Sequence, residues 1–212
     1  MINNYNLTEI VKKLMKKQVI TIDDILKFKE SIPNYFGFYS KKQFDEKLTE
    51  REIEQNSIVF DLKKWILNSK TKQFLSEVIK DIKNKIDINK IDYITFTPDS
   101  WKSQDNIKND KIVWFSIIVE YIAAKLNKPT ILPKIIKQMN KQKNMKKNER
   151  LNNRRWWYSF NEDEIKWKNI LFIDDVVTTG ATMFAIAEDI VKKGGNFYAY
   201  AIALAELDKD KK

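Results

Sequence analysis

The chain has no cysteine and no histidine in 212 residues. That absence excludes disulfides, thiol nucleophiles, structural zinc sites, imidazole bases and Ser-His triads together. Any metal has to be a hard cation held by carboxylates and substrate oxygens, which favours Mg²⁺. Long apolar runs are missing too. The longest, Ile112 to Ala124, is broken by Ser116 and Glu120, well short of the roughly 18 residues of a membrane helix. No basic-then-apolar leader opens the sequence, so the expectation is a soluble cytoplasmic protein with no membrane partner. Glycine is scarce: four residues, where average usage would give about 15. Three of the four, Gly180, Gly194 and Gly195, fall within one short stretch. Such a distribution implies positions where the backbone needs them.

What is present is a core and an uneven charge. At 43% hydrophobic and 32% charged, the chain can bury a real interior and is not disordered. Its length fits one α/β domain with a short addition, or one larger domain. The net charge of +10 is concentrated: residues 134–155 carry 9 basic and 1 acidic side chain, whereas residues 156–212 sum to −3. The block from Lys134 to Arg155 reads either as a solvated loop, as a mobile clamp for an anion, or as a patch for nucleic acid.

Hydrophobic periodicity gives a coarse map. Leu7, Ile10, Val11 and Leu14 fall at helical spacing, and Thr21 with Asp24 resembles a capping box ahead of Ile25, Leu26 and Phe28. Phe74, Val78, Ile79, Ile82 and Ile86 mark one face of a longer helix. Ile91 to Thr97 reads as a strand, 112–126 as a buried helix, and Pro129 to Pro133 brackets a short strand. Asn169 to Ile173 reads as a strand, about Ala181 to Lys193 as a helix closed by Gly194-Gly195, and Phe197 to Leu204 as a last buried strand. Strands alternating with helices imply an α/β fold, doubly wound, with a mostly parallel sheet. Residues 1–55 read as an N-terminal helical appendage, and 56–212 as the main domain.

The chemistry is concentrated in Ile173-Asp-Asp-Val-Val-Thr-Thr-Gly-Ala-Thr182. A buried strand ends on two adjacent carboxylates, Asp174 and Asp175. Val177, Thr178, Thr179, Gly180, Ala181 and Thr182 then offer hydroxyls and the open backbone of a helix start, a ready anion site. Carboxylates beside such a nest would repel a bare phosphate. They suit a ligand that also carries vicinal hydroxyls able to donate to them, and a cation. A phosphorylated ribose has that combination. The bland alternative is a strand–turn–helix with a satisfied Asp-Asp turn, which leaves two buried charges in need of partners.

This string resembles the phosphoribosyl-pyrophosphate (PRPP) signature of type I phosphoribosyltransferases. Gln142, Met145, Arg150 and Asn153, at their spacing, are similar to the segment that precedes the signature in ComF/GntX-type proteins. The resemblance covers about residues 58–206. It implies a doubly wound sheet with the ligand over the carboxyl ends of the strands. It implies transfer of a 5-phosphoribosyl group with release of Mg²⁺-pyrophosphate, the acceptor being open. Asp174 and Asp175 would hold the ribose hydroxyls, and a metal only indirectly, through those hydroxyls or water. Arg150 would act on the leaving group. Thr97, Pro98, Asp99, Lys141, Lys143 and Lys147 would face pyrophosphate. The implied partners are PRPP or a ribose 5-phosphate nucleotide, with a homodimer as a further candidate. Two departures stand out. No cysteine module precedes the domain, and Trp101 to Asn106 lacks the glycine that the family carries after its pyrophosphate loop. An alternative is therefore a non-catalytic PRPP- or nucleotide-sensing module, or a DNA-uptake or DNA-binding regulator through Lys134 to Arg155, on the same fold.

Overall fold

A strand that is apolar on both faces has to be covered on both faces, and Ile170–Ile173 and Phe197–Leu204 are of that kind. In a computed structural model of the protein they lie side by side at the centre of a parallel sheet. The structure describes residues 6–33, 38–39, 69–97, 114–136 and 158–205, together with 50, 53, 54, 57 and 58. In chain order the elements are helices α1 (Thr8–Met15) and α2 (Ile22–Glu30), strand β1 (Phe38–Tyr39), helix α3 (Ser69–Lys85) and strand β2 (Tyr93–Thr95). Helix α4 (Trp114–Leu126) and strands β3 (Lys134–Ile135) and β4 (Tyr158–Ser159) follow. A short helix α5 (Glu162–Ile165), strand β5 (Asn169–Val177), helix α6 (Ala181–Lys192) and strand β6 (Asn196–Ala205) complete the described chain.

The main sheet has the order β1-β6-β5-β2 with every strand parallel to its neighbour. Thr130 extends it by one parallel bridge to Ile94, on the side of β2 away from β5. Strands β3 and β4 form a separate antiparallel pair. Alternation along β5 sends Ile170 and Phe172 to one face and Leu171 and Ile173 to the other. The first pair joins a core with α1, α2 and α6. The second joins a core with α3 and α4. The fold is thus α/β, with helices on both faces of a parallel sheet. Among the described residues, no helix is long and apolar enough to cross a membrane.

The described part of residues 1–55, helical in pattern and expected as an appendage, packs against the sheet. It closes the free edge of β6 and half of one face. Asn6 bridges to Tyr198. The Leu7 amide donates to the Phe197 carbonyl (2.9 Å), and the Thr8 hydroxyl accepts the Phe197 N–H at 2.8 Å. Further along, the Ala201 amide donates to the Pro33 carbonyl at 3.0 Å, and β1 pairs with Leu204 and Ala205. Leu7, Val11, Ile25 and Phe28 share one core with Phe184 and Phe197, and Phe28 meets Phe184 edge to face at 5.5 Å. The physical reason is that an uncovered strand edge and an uncovered apolar face are both costly. The expected boundary between residues 55 and 56 lies outside the described residues.

The strands differ from expectation, and the one expected between Pro129 and Pro133 is reduced to the single bridge at Thr130. Strand β5 runs four residues further, to Val177, because β6 keeps pairing with it up to Leu204. Strand β2 is shorter, three residues. At the end of α6 only Gly194 is left-handed (φ 81°). Gly195 is needed for close approach instead, since a Cβ there would stand 2.9 Å from Ile190 and 3.0 Å from the Ile165 carbonyl.

The capping box at α2 is formed as the sequence predicts: the Thr21 hydroxyl accepts the Asp24 amide, and the Asp24 carboxylate accepts the Thr21 amide. Lys17 donates to the same carboxylate at 2.5 Å. These hydrogen bonds, Lys17's first and Thr21's next, pull the Asp24 carboxyl from 3.8 down to about 2. A depressed carboxyl stabilises the fold above its unfolded value, and that contribution is lost as pH falls through 3.8 toward 2. Asp24→Asn should therefore be less stable than the native chain near neutrality, with the gap narrowing below about pH 4. Denaturant titrations of both proteins across that range check it; a gap that stays constant into acid would contradict the role given to Asp24.

Candidate functional site

The chain changes direction across the sheet between β2 and β5. From β2 it passes through α4 to the Thr130 bridge on one side; from β5 it passes through α6 to β6 on the other. Right-handed crossovers moving in opposite directions put their helices on opposite faces, and α4 and α6 do lie on opposite faces. A crevice lies at the carboxyl ends of β2 and β5, the usual ligand position in open parallel sheets.

That crevice is a cleft of about 210 Å³ lined by Thr97 beyond β2, by Asp174, Val176 and Val177 of β5, and by Thr178 to Met183. Its size suits a small phosphorylated ligand better than the roughly 300–1,000 Å³ of a drug-sized site. Its floor is built by the turn into α6. Gly180 caps the helix in the left-handed region (φ 83°), and the Thr179 hydroxyl accepts the Ala181 amide at 3.3 Å. The N–H groups of a first helical turn have no acceptor within the helix, and the dipole makes that end positive. Asp174, in the turn-ward part of β5, lines the same cleft. One of its oxygens accepts the Asp175 amide at 3.0 Å, which helps to fix the carboxylate.

The sequence-predicted residues divide three ways. Asp174, Val177, Thr178, Thr179, Gly180, Ala181, Thr182 and Thr97 are brought together in the cleft. Asp175 is half-buried on β5 beside it but does not line it. Pro98, Asp99, Lys141, Lys143, Lys147 and Arg150 lie outside the described residues, as do Gln142, Asn153 and the Trp101 to Asn106 stretch. Of the basic block only Lys134, Ile135 and Ile136 are described, all exposed.

The cleft also holds features that sequence reasoning missed. Val176 and Met183 supply apolar wall. The hydroxyl oxygens of Thr95 and Thr97 are buried without a hydrogen-bond partner among the described residues. Such an oxygen costs about 1–3 kcal/mol, and Thr97's lies at the cleft, where a ligand oxygen could meet it. Ile25 and Lys29 of α2 stand directly behind Gly180; no local signal in the sequence links them to it.

Among the described residues no three or more acidic side chains converge on a metal position. A cation here would be held by one or two carboxylates, with ligand phosphate and water oxygens completing its shell, which is the coordination Mg²⁺ prefers. The chain matches no protein-family model and no curated protein.

Gly180 is the residue on which the nest's shape depends. A Cβ there would sit 3.3 Å from the Lys29 Cβ and 3.6 Å from the Ile25 carbonyl, at a φ that disfavours any side chain. Gly180→Ala should cost about 1–2 kcal/mol of stability and weaken phosphate binding. Denaturant unfolding and phosphate titration measure the two effects; a variant unchanged in both would mean that the turn is not shaped as described.

Proposed function

We propose that the cleft binds the ribose 5-phosphate portion of PRPP, and that the chain is a type I phosphoribosyltransferase of the ComF/GntX-like kind. The observation that carries this reading is the meeting in one cleft of a carboxylate of β5, Asp174, and a helix-start nest, Thr178 to Thr182. The cleft thus offers groups of opposite electrostatic character. A phosphate fits the N–H groups, and hydroxyl donors fit the carboxylate. A ligand carrying only phosphate would use the nest but leave Asp174 without a donor, and so bind more weakly; a neutral sugar would leave the nest unused.

On this reading the 5′-phosphate accepts from the first turn of α6, and a ribose hydroxyl donates to Asp174. Thr97 gives its buried hydroxyl to the oxygens on the pyrophosphate side. Holding both ends of the sugar fixes C1, so the acceptor's approach becomes a positioned event. A bond forms from the acceptor to C1 as the bond from C1 to the pyrophosphate oxygen breaks, and the electron pair leaves with pyrophosphate. When bound, Mg²⁺ neutralises charge on the pyrophosphate. Arg150, Lys141, Lys143, Lys147, Pro98 and Asp99 enter this reading through the sequence resemblance. The binding-module alternative keeps the same pocket without transfer; a screen for pyrophosphate release over bases and amines separates the two.

On this reading Asp174, which lines the cleft, matters more than Asp175. Asp174→Asn should weaken PRPP binding by about 2 kcal/mol, some 30-fold, the scale of lost charge-assisted hydrogen bonds. Asp175→Asn should have a clearly smaller effect, because its side chain stands outside the cleft. Calorimetry with Mg²⁺ and PRPP tests the order, and a folded Asp174→Asn protein with native affinity would falsify the site.

A further inference from the structure

Behind the anion-binding turn lies a buried lysine. Lys29, in the last turn of α2, keeps 5% of its surface exposed. Its Cβ lies 3.3 Å from where a Cβ on Gly180 would stand, and Ile25, one turn earlier on the same helix face, is the next neighbour of that point. The Lys29 amine donates to the carbonyl of Ala205, the last residue of β6. Val177 pairs with Leu204 across the sheet. The carbonyl that Lys29 holds is therefore one residue beyond that pair, level with Thr178, where the chain leaves β5 for the turn.

A lysine stem ordinarily snorkels to water, and burying an ammonium is costly unless it has a task. Here stem and amine do different things. The stem presses on the one backbone position in the turn that has no side chain to resist it. The amine ties α2 to the strand end beside the turn.

We infer that Lys29 is a positioning residue for the turn Thr178 to Thr182, and that the N-terminal helical layer is thereby part of the anion site. The identity of the anion rests on the function proposed above; the strap is a property of the free protein. Lys29→Met keeps a stem of similar length and removes the donor and the charge. Hydrogen exchange at 178–182 in the free variant should quicken by about tenfold, in excess of any change in α4. Affinity for inorganic phosphate and for ribose 5-phosphate should fall by about tenfold, with part of the loss recovered in Lys29→Arg. Native exchange rates at 178–182, or native phosphate affinity in Lys29→Met, would make Lys29 core filler and overturn the inference. Native protein that binds neither phosphate nor ribose 5-phosphate would instead sink the functional reading, and the exchange experiment would still decide the strap. Should Lys29→Met fail to fold, Ile25→Val thins the same face of α2 against Gly180, and it should quicken exchange at 178–182 in the same selective way.

Discussion

Strand β6 is buried at every position after Asn196, and the demand for cover on both of its faces and its edge organises the molecule. One face is packed by α3 and α4, the other by α1, α2 and α6. One edge pairs with β5; the other is closed in pieces by Asn6, Pro33 and β1. A continuous partner strand would have been simpler, but the N-terminal segment both packs a face and seals an edge. Removing it would expose apolar surface and open backbone donors and acceptors together, which is why it belongs to the domain.

The site follows from the same sheet. With helices on both faces, the described residues leave a cleft at the rim where β2 and β5 end. Polar groups elsewhere in the interior are answered within the chain. The Tyr200 hydroxyl, on a fully buried ring, donates to Asp81 at 2.6 Å, and Asp81 is paired with Lys85 at 2.7 Å. Lys193 answers Asp189 and the Phe160 carbonyl at 2.8 and 2.7 Å. Among the described residues the hydroxyls of Thr95 and Thr97 have no partner. That contrast makes the end of β2 a place where the hydrogen bonding is completed by a group beyond the described residues.

Much of this was legible in the sequence because it is local. Periodicity located α1, α3 and α4, the Thr21–Asp24 spacing gave the cap of α2, and the run after Ile173 gave the turn with its glycine. Strand lengths were less legible: β5 continues through Asp174 and Asp175, residues of low strand preference, because β6 supplies partners alongside. The pattern in residues 7–28 shows that one face of each helix is buried, but it carries no information on what buries it, and the expectation of an appendage arose there.

By itself the sequence determined the α/β class, the helix faces, and the chemical character of the segment from Asp174 to Thr182, since each is set by residues within a few positions of one another. Only the tertiary structure decided which carboxylate faces the cleft, that Thr97 meets the turn across from β5, and that α2 lies behind Gly180. Those relations join residues from about 75 to 155 positions apart, and they are fixed by which surfaces exclude water together, a property no local pattern carries.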